Sequence, residues 1–139
     1  MTVYTDTFRK AHAEIGEQTA ALRLAAARIP ELSIEERRTT LDGLLEFLHG
    51  EVEPHTRYDE RYLYPEVAAR LGAPLATASM NYDHVAIRQW IADIAATDPS
   101  DVARLQELLY GLDAIIRVHI WKENELYLPA VGSATWPAS

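Results

Sequence analysis

A chain of 139 residues, 48% of them hydrophobic, fits one domain with a sizeable core, and it holds no run of about 18 apolar residues to cross a membrane. Thirteen basic against twenty-one acidic residues leave a net charge of -8, which repels phosphate backbones and argues against a nucleic-acid partner. Cysteine is absent, so disulfides and thiolate metal sites are closed to the chain, and with no secretory signal before the first predicted helix the expected compartment is the cytoplasm.

Residues 3 to 29 run without proline and carry Phe8, His12, Ile15, Thr19, Leu22, Ala26 and Ile29 in steps of four and three, the stripe of one helix. Pro30 closes it. Ser33 with Glu36 three residues on is a capping-box signature for a second helix, whose stripe reads Leu41, Leu45, Leu48, Val52, His55, Asp59, Tyr62 and Glu66. Pro54 removes a backbone donor there and predicts a bend more than a break. Leu71-Gly72-Ala73-Pro74 ends that helix and separates two halves. A third helix over roughly 75 to 96 shows Met80, His84, Ile87, Ile91 and Ile94 on its stripe. Asp98 as N-cap and Pro99 at the first helical position open a fourth, with Val102, Leu105, Leu109, Leu112, Ile116, His119, Glu123 and Leu126 facing inward. Four such helices with short connections predict an all-α fold, an up-down-up-down antiparallel four-helix bundle over residues 1–131 with 132–139 as a tail.

One stretch occurs twice. His-Thr-Arg-Tyr-Asp-Glu-Arg-Tyr-Leu-Tyr-Pro, from His55 to Pro65, is echoed by His-Ile-Trp-Lys-Glu-Asn-Glu-Leu-Tyr-Leu-Pro, from His119 to Pro129. Each copy sets a histidine four residues before a carboxylate, Asp59 or Glu123, so the two share a helix face. With His12 and His84, every predicted seam carries one histidine. At about 1.5 Å per residue the four match in depth to within about two turns, so they can form one layer near one end of the bundle. Ionised carboxylates are almost never fully buried unless paired or coordinating a metal, and four histidines with two carboxylates in a core without one would cost several kcal/mol. Imidazole and carboxylate without sulfur suit iron, manganese, copper or zinc, and six ligands over two ions favour a bridged pair. Tyr62, one turn beyond Asp59, is the candidate catalytic phenol, as hydrogen-bond donor or further ligand, with a core aromatic as the alternative. Tyr58 and Glu60 sit one position off the seam and are candidates for supporting roles. Tyr64 and Tyr127 are expected to pack the closed end.

These residues resemble the hemerythrin-like, or HHE cation-binding, family: a first-helix histidine at His12, the motif from Pro54 to Pro65, Asp83-His84, and His119 to Pro129. The resemblance covers about residues 8 to 131. It implies a non-haem centre of two iron ions, oxo- or hydroxo-bridged, with His12, His55, His84 and His119 as terminal ligands and Asp59 and Glu123 as bridges. It also implies a small-molecule partner, either O2, peroxide or nitric oxide. The chain departs from the pattern at three positions. Arg88 stands where oxygen-carrying members have a further histidine, Asn124 where they have aspartate, and Asp59 where glutamate is usual. A site one histidine poorer turns the expectation from reversible carriage toward peroxidase- or catalase-like turnover, with an iron or oxygen sensor or store as the alternative.

Overall fold

The computed structural model describes residues 3–132, and within them the backbone is helical from end to end of four rods. The first is α1 (Val3–Arg28), finished by a 3-10 turn at Ile29–Glu31 that holds the expected Pro30. Ser33 then accepts the Glu36 N–H at 3.2 Å and starts α2 (Ile34–Phe47). The second rod continues through α3 (Glu53–Tyr58) and α4 (Tyr64–Leu71). Gly72 stops it at φ 62°, with the Ala73 N–H on the Ala68 carbonyl and the Gly72 N–H on that of Ala69, the paired bonds of a Schellman cap. The third rod is α5 (Ala78–Ala96), and the fourth is α6 (Val102–Lys122) with α7 (Leu128–Val131). The fourth rod begins later than its sequence predicts. Asp101 is the N-cap, accepting from the Arg104 N–H, while Asp98 closes a turn by accepting from Ser100. Of the expected tail, 132–139, all but Gly132 lies outside the described residues.

Pro54 does not break the second rod. It follows a π-helical turn, Leu48–Val52, in which the Glu53 N–H reaches five residues back to the Leu48 carbonyl. Two more such turns occur at Asp59–Leu63 before Pro65 and at Glu123–Tyr127 before Pro129, closed by the Tyr64 N–H on the Asp59 carbonyl and the Leu128 N–H on that of Glu123. The cause is steric, since a proline ring collides with the carbonyl four residues back and offers it no N–H. A wider turn just ahead moves that carbonyl aside and keeps the rod continuous.

Each π turn also admits one extra residue, and every side chain beyond it shifts around the axis. Tyr62 and Glu66, expected on the seam, are partly exposed, and Glu66 pairs with Arg70 at 3.0 Å. Leu63, Tyr64 and Val67 take the inward positions instead. The second copy repeats the shift, with Leu126 exposed and Leu128 and Val131 buried.

The core is consequently divided. A long cluster, including Ile15, Leu22, Leu48, Val52, Ile87, Ile91, Leu109 and Ile116, fills most of the length. A shorter one, built on Phe8, Leu63, Tyr64, Val67, Met80, Leu128 and Val131, fills one end. His12, His55, Asp59, His84, His119 and Glu123 come between them in sequence on each rod, a polar layer bounded above and below by apolar packing. Among the described residues no helix is long and apolar enough to cross a membrane.

Candidate metal centre

The six side chains named from the sequence meet in that layer. They fall into two overlapping groups, His12, His55, Asp59 and Glu123, and Asp59, His84, His119 and Glu123, each offering ligand atoms within 4.8 Å of one another. The histidines face each other in pairs, His12 Nε2 to His55 Nε2 at 3.0 Å and His84 Nε2 to His119 Nε2 at 2.9 Å. The carboxylates stand between the pairs and divide their oxygens. Asp59 turns Oδ1 to His55 at 3.4 Å and Oδ2 to His84 at 3.6 Å, and Glu123 turns Oε1 to His119 at 2.6 Å and Oε2 to His12 at 3.7 Å.

Outer contacts fix which way the imidazoles point. Nδ1 of His84 donates to Glu60 at 2.8 Å, Nδ1 of His119 to Asp83 at 2.9 Å, and Nδ1 of His12 to the Asn124 amide oxygen at 2.6 Å. An ionised carboxylate and an amide oxygen can only accept, so these bonds place the proton on Nδ1 and leave the Nε2 lone pair facing inward. The acceptors are themselves held. Arg88 donates to Glu60 at 3.0 Å and to Thr56, Lys122 donates to Asp83 at 2.6 Å, and Arg9 donates to the Asn124 carbonyl. Arg88 is thus a partner of Glu60.

Two nitrogen lone pairs about 3 Å apart repel unless a proton or a cation lies between them. The four carboxylate oxygens of Asp59 and Glu123 are buried without a hydrogen-bond donor, and even the close His119 approach lies off a hydrogen-bond line. With no cation, protons carry the compensation. Burial, then the neighbouring Glu123 charge, pushes Asp59 well above the carboxylate range. Burial would also raise Glu123, but His119, His12 and His55 together hold it low. Burial pulls His12 down, and pulls His55 and His84 down to about 4, helped in those two by His12 and His119 respectively. At His119 burial is outweighed by Asp83 and Glu123, and the imidazole is raised. Cations would take over the role of these protons. The spacing suits them, because two ligand atoms about 2.1 Å from one ion and at right angles stand about 3 Å apart.

The phenol in the layer is that of Tyr64. Its hydroxyl lies 3.0 Å from His84 Nε2 and 3.1 Å from His119 Nε2, and its ring is 2% exposed. Burial, reinforced by Glu123 and Asp59, raises its pKa, so it stays a neutral donor. Tyr62, expected in this role, is 41% exposed and lies against Tyr58 with ring centroids 4.7 Å apart. The correction follows from the π turn after Asp59, which brings the fifth residue, not the third, over the carboxylate. The signal was in the sequence: a proline six residues after each carboxylate, in both copies. Asn124 and Asp83 were less legible as partners of His12 and His119, because they bond across to other rods from positions next to a ligand. A cleft of about 1040 Å³, lined by Ala21, Leu24, Arg28, Glu36 and Leu44 among others, includes none of the six residues.

Comparison with known proteins gives one result. Residues 3–131 match the family described as hemerythrin HHE cation binding domain. No curated protein and no solved structure matches the chain.

Proposed function

The chain belongs to the hemerythrin HHE cation-binding family, and on that premise we propose that it is a di-iron protein on the up-down-up-down bundle plan that binds O2, peroxide or nitric oxide and turns peroxide over. His12 and His55 would hold one ion and His84 and His119 the other, with Asp59 and Glu123 shared between them. The observation that carries this reading is the pairing of inward Nε2 atoms at 2.9 and 3.0 Å around carboxylates whose oxygens are split between the pairs. Bound iron would supply a one-electron redox couple and Lewis acidity toward a small oxygen species.

The chain's own groups do the remainder. Asp83 and Glu60 orient His119 and His84 through their Nδ1 protons and make Nε2 a stronger donor. Asn124, a neutral amide, orients His12 without adding charge. Tyr64 offers the one phenolic proton at the layer, placed against the His84 and His119 nitrogens. The apolar clusters on both sides keep bulk water from the ligands and strengthen each interaction within.

Elemental analysis of protein produced in iron-rich medium tests the centre, with two irons per chain expected. A preparation without iron overturns the reading. Peroxide consumption by the iron-loaded protein tests turnover: many cycles per centre are expected, and Tyr64→Phe should retain both irons while slowing the cycle. Consumption of no more than one peroxide per centre would leave a binding protein and remove catalysis.

A further inference from the structure

The six side chains of the layer are unequally shielded from solvent. Among the six candidate ligands, the side chains of Asp59, His84 and Glu123 are sealed, and those of His12 and His119 nearly so. His55 alone opens appreciably to solvent, with its side chain 14% exposed. It forms the floor of a cleft of about 280 Å³ between the first and second rods, walled by Ala11, Glu14, Ile15, Gln18 and Glu51. No lysine or arginine lines that cleft. Glu14 and Glu51 are exposed at its rim, and neither has an ion-pair partner among the described residues. The contrast with their neighbour Glu53 is informative, since Glu53 lies near both His49 and Arg57.

We infer that this cleft is the charge-selective port of the centre, with Glu14 and Glu51 as its specificity-determining residues: it draws in divalent cations during loading, passes neutral small molecules, and slows anions. The inference rests on the metal-centre reading above. The physical basis is the pull on cations and push on anions of two unpaired carboxylates at the mouth, backed here by a net charge of -8. Beneath the mouth lie His55 and, one contact deeper, the orphaned oxygens of Asp59, so an entering cation meets carboxylates at the rim and again at the floor. Neither rim residue belongs to the ligand set, so changing them leaves the capacity for metal intact and alters only passage.

The test uses the full chain and two probes of opposite sign. Ferrous ion is mixed anaerobically with chelator-stripped protein, and azide with iron-loaded diferric protein, each followed by stopped-flow absorption at low and high salt. In Glu14→Gln/Glu51→Gln, ferrous loading should slow by roughly tenfold at low salt and azide binding should quicken by a comparable factor, both differences shrinking as salt screens the rim. Final iron content should equal that of the parent. Gln18→Glu, which adds a charge to the same wall, should shift both rates the opposite way and decides the matter if the double variant fails to fold. Rates that do not change, or that move in the same direction for both probes, overturn the port while leaving a two-iron protein in hand. A parent protein that takes up no iron overturns the centre itself, and the port with it.

Discussion

Among the described residues, two places bury a carboxylate, and they settle its charge in opposite ways. Asp113, on α6 in the long apolar cluster, is 1% exposed, yet Arg117 clasps it through three contacts of 2.8 to 3.1 Å and Arg23 adds another at 3.4 Å. Asp59 and Glu123 are as deeply buried, and among the described residues no arginine or lysine pairs with them. Their neighbours are each other and imidazoles whose Nδ1 protons, in three of the four, already serve Glu60, Asp83 and Asn124. The difference teaches what a buried acid requires. A guanidinium supplied by the fold completes Asp113 permanently, whereas Asp59 and Glu123 are left for something that enters from outside.

Metal removal should therefore separate the two places most strongly. A ligand present at about a thousandfold its dissociation constant adds about 4 kcal/mol to stability, so chelation should lower the thermal midpoint by many degrees, read by circular dichroism. An unchanged midpoint would mean that protons alone satisfy the layer. Next in size, Arg117→Ala should cost about 2 to 3 kcal/mol by leaving Asp113 with Arg23 alone, and should cost the same before and after chelation. Dependence of that loss on metal would erase the distinction between the two sites. Asp83→Asn should weaken metal affinity by roughly ten- to a hundredfold, since it removes the charge behind His119 while keeping its size. Competition with a chromogenic chelator would measure this, and an affinity equal to the parent's would refute the role given to Asp83. The smallest effect carries the most telling sign. Asp59→Asn should stabilise the stripped protein, by about 1 kcal/mol, and lower the metal content of the loaded one, because at neutral pH the buried Asp59 must take up a proton that an amide does not need. The matching change at Asp113 should destabilise in every condition.

The same contrast shows why some residues were readable and others not. Asp113 follows Leu112 on the helix, off the predicted stripe; its pairing with Arg117 four residues on is one that a solvated helix face also shows, and its second partner, Arg23, comes from another rod. The paired motif was readable because histidine and carboxylate four apart must share a face whatever surrounds them. Tyr64 failed to stand out because a regular turn of 3.6 residues carries Tyr62 nearer the seam, and only a wider turn reverses the order. The start of α6 went astray for a related reason: Asp98 and Asp101 both have capping chemistry, and the chain uses the first for a turn and the second for the helix.

By itself the sequence determined the four helical stripes, the position of one histidine on each, and the repeated acid placed one turn after two of them. These are periodicities within single segments, set by local backbone geometry, and they also carry the family's motif. Tertiary structure alone decided that the six side chains lie at one depth with Nε2 atoms about 3 Å apart, that Tyr64 and not Tyr62 joins them, and that His55 is the most exposed of the six. Those outcomes depend on how far each π turn rotates a rod and on which residues of the neighbouring rods then meet it, which no single segment specifies.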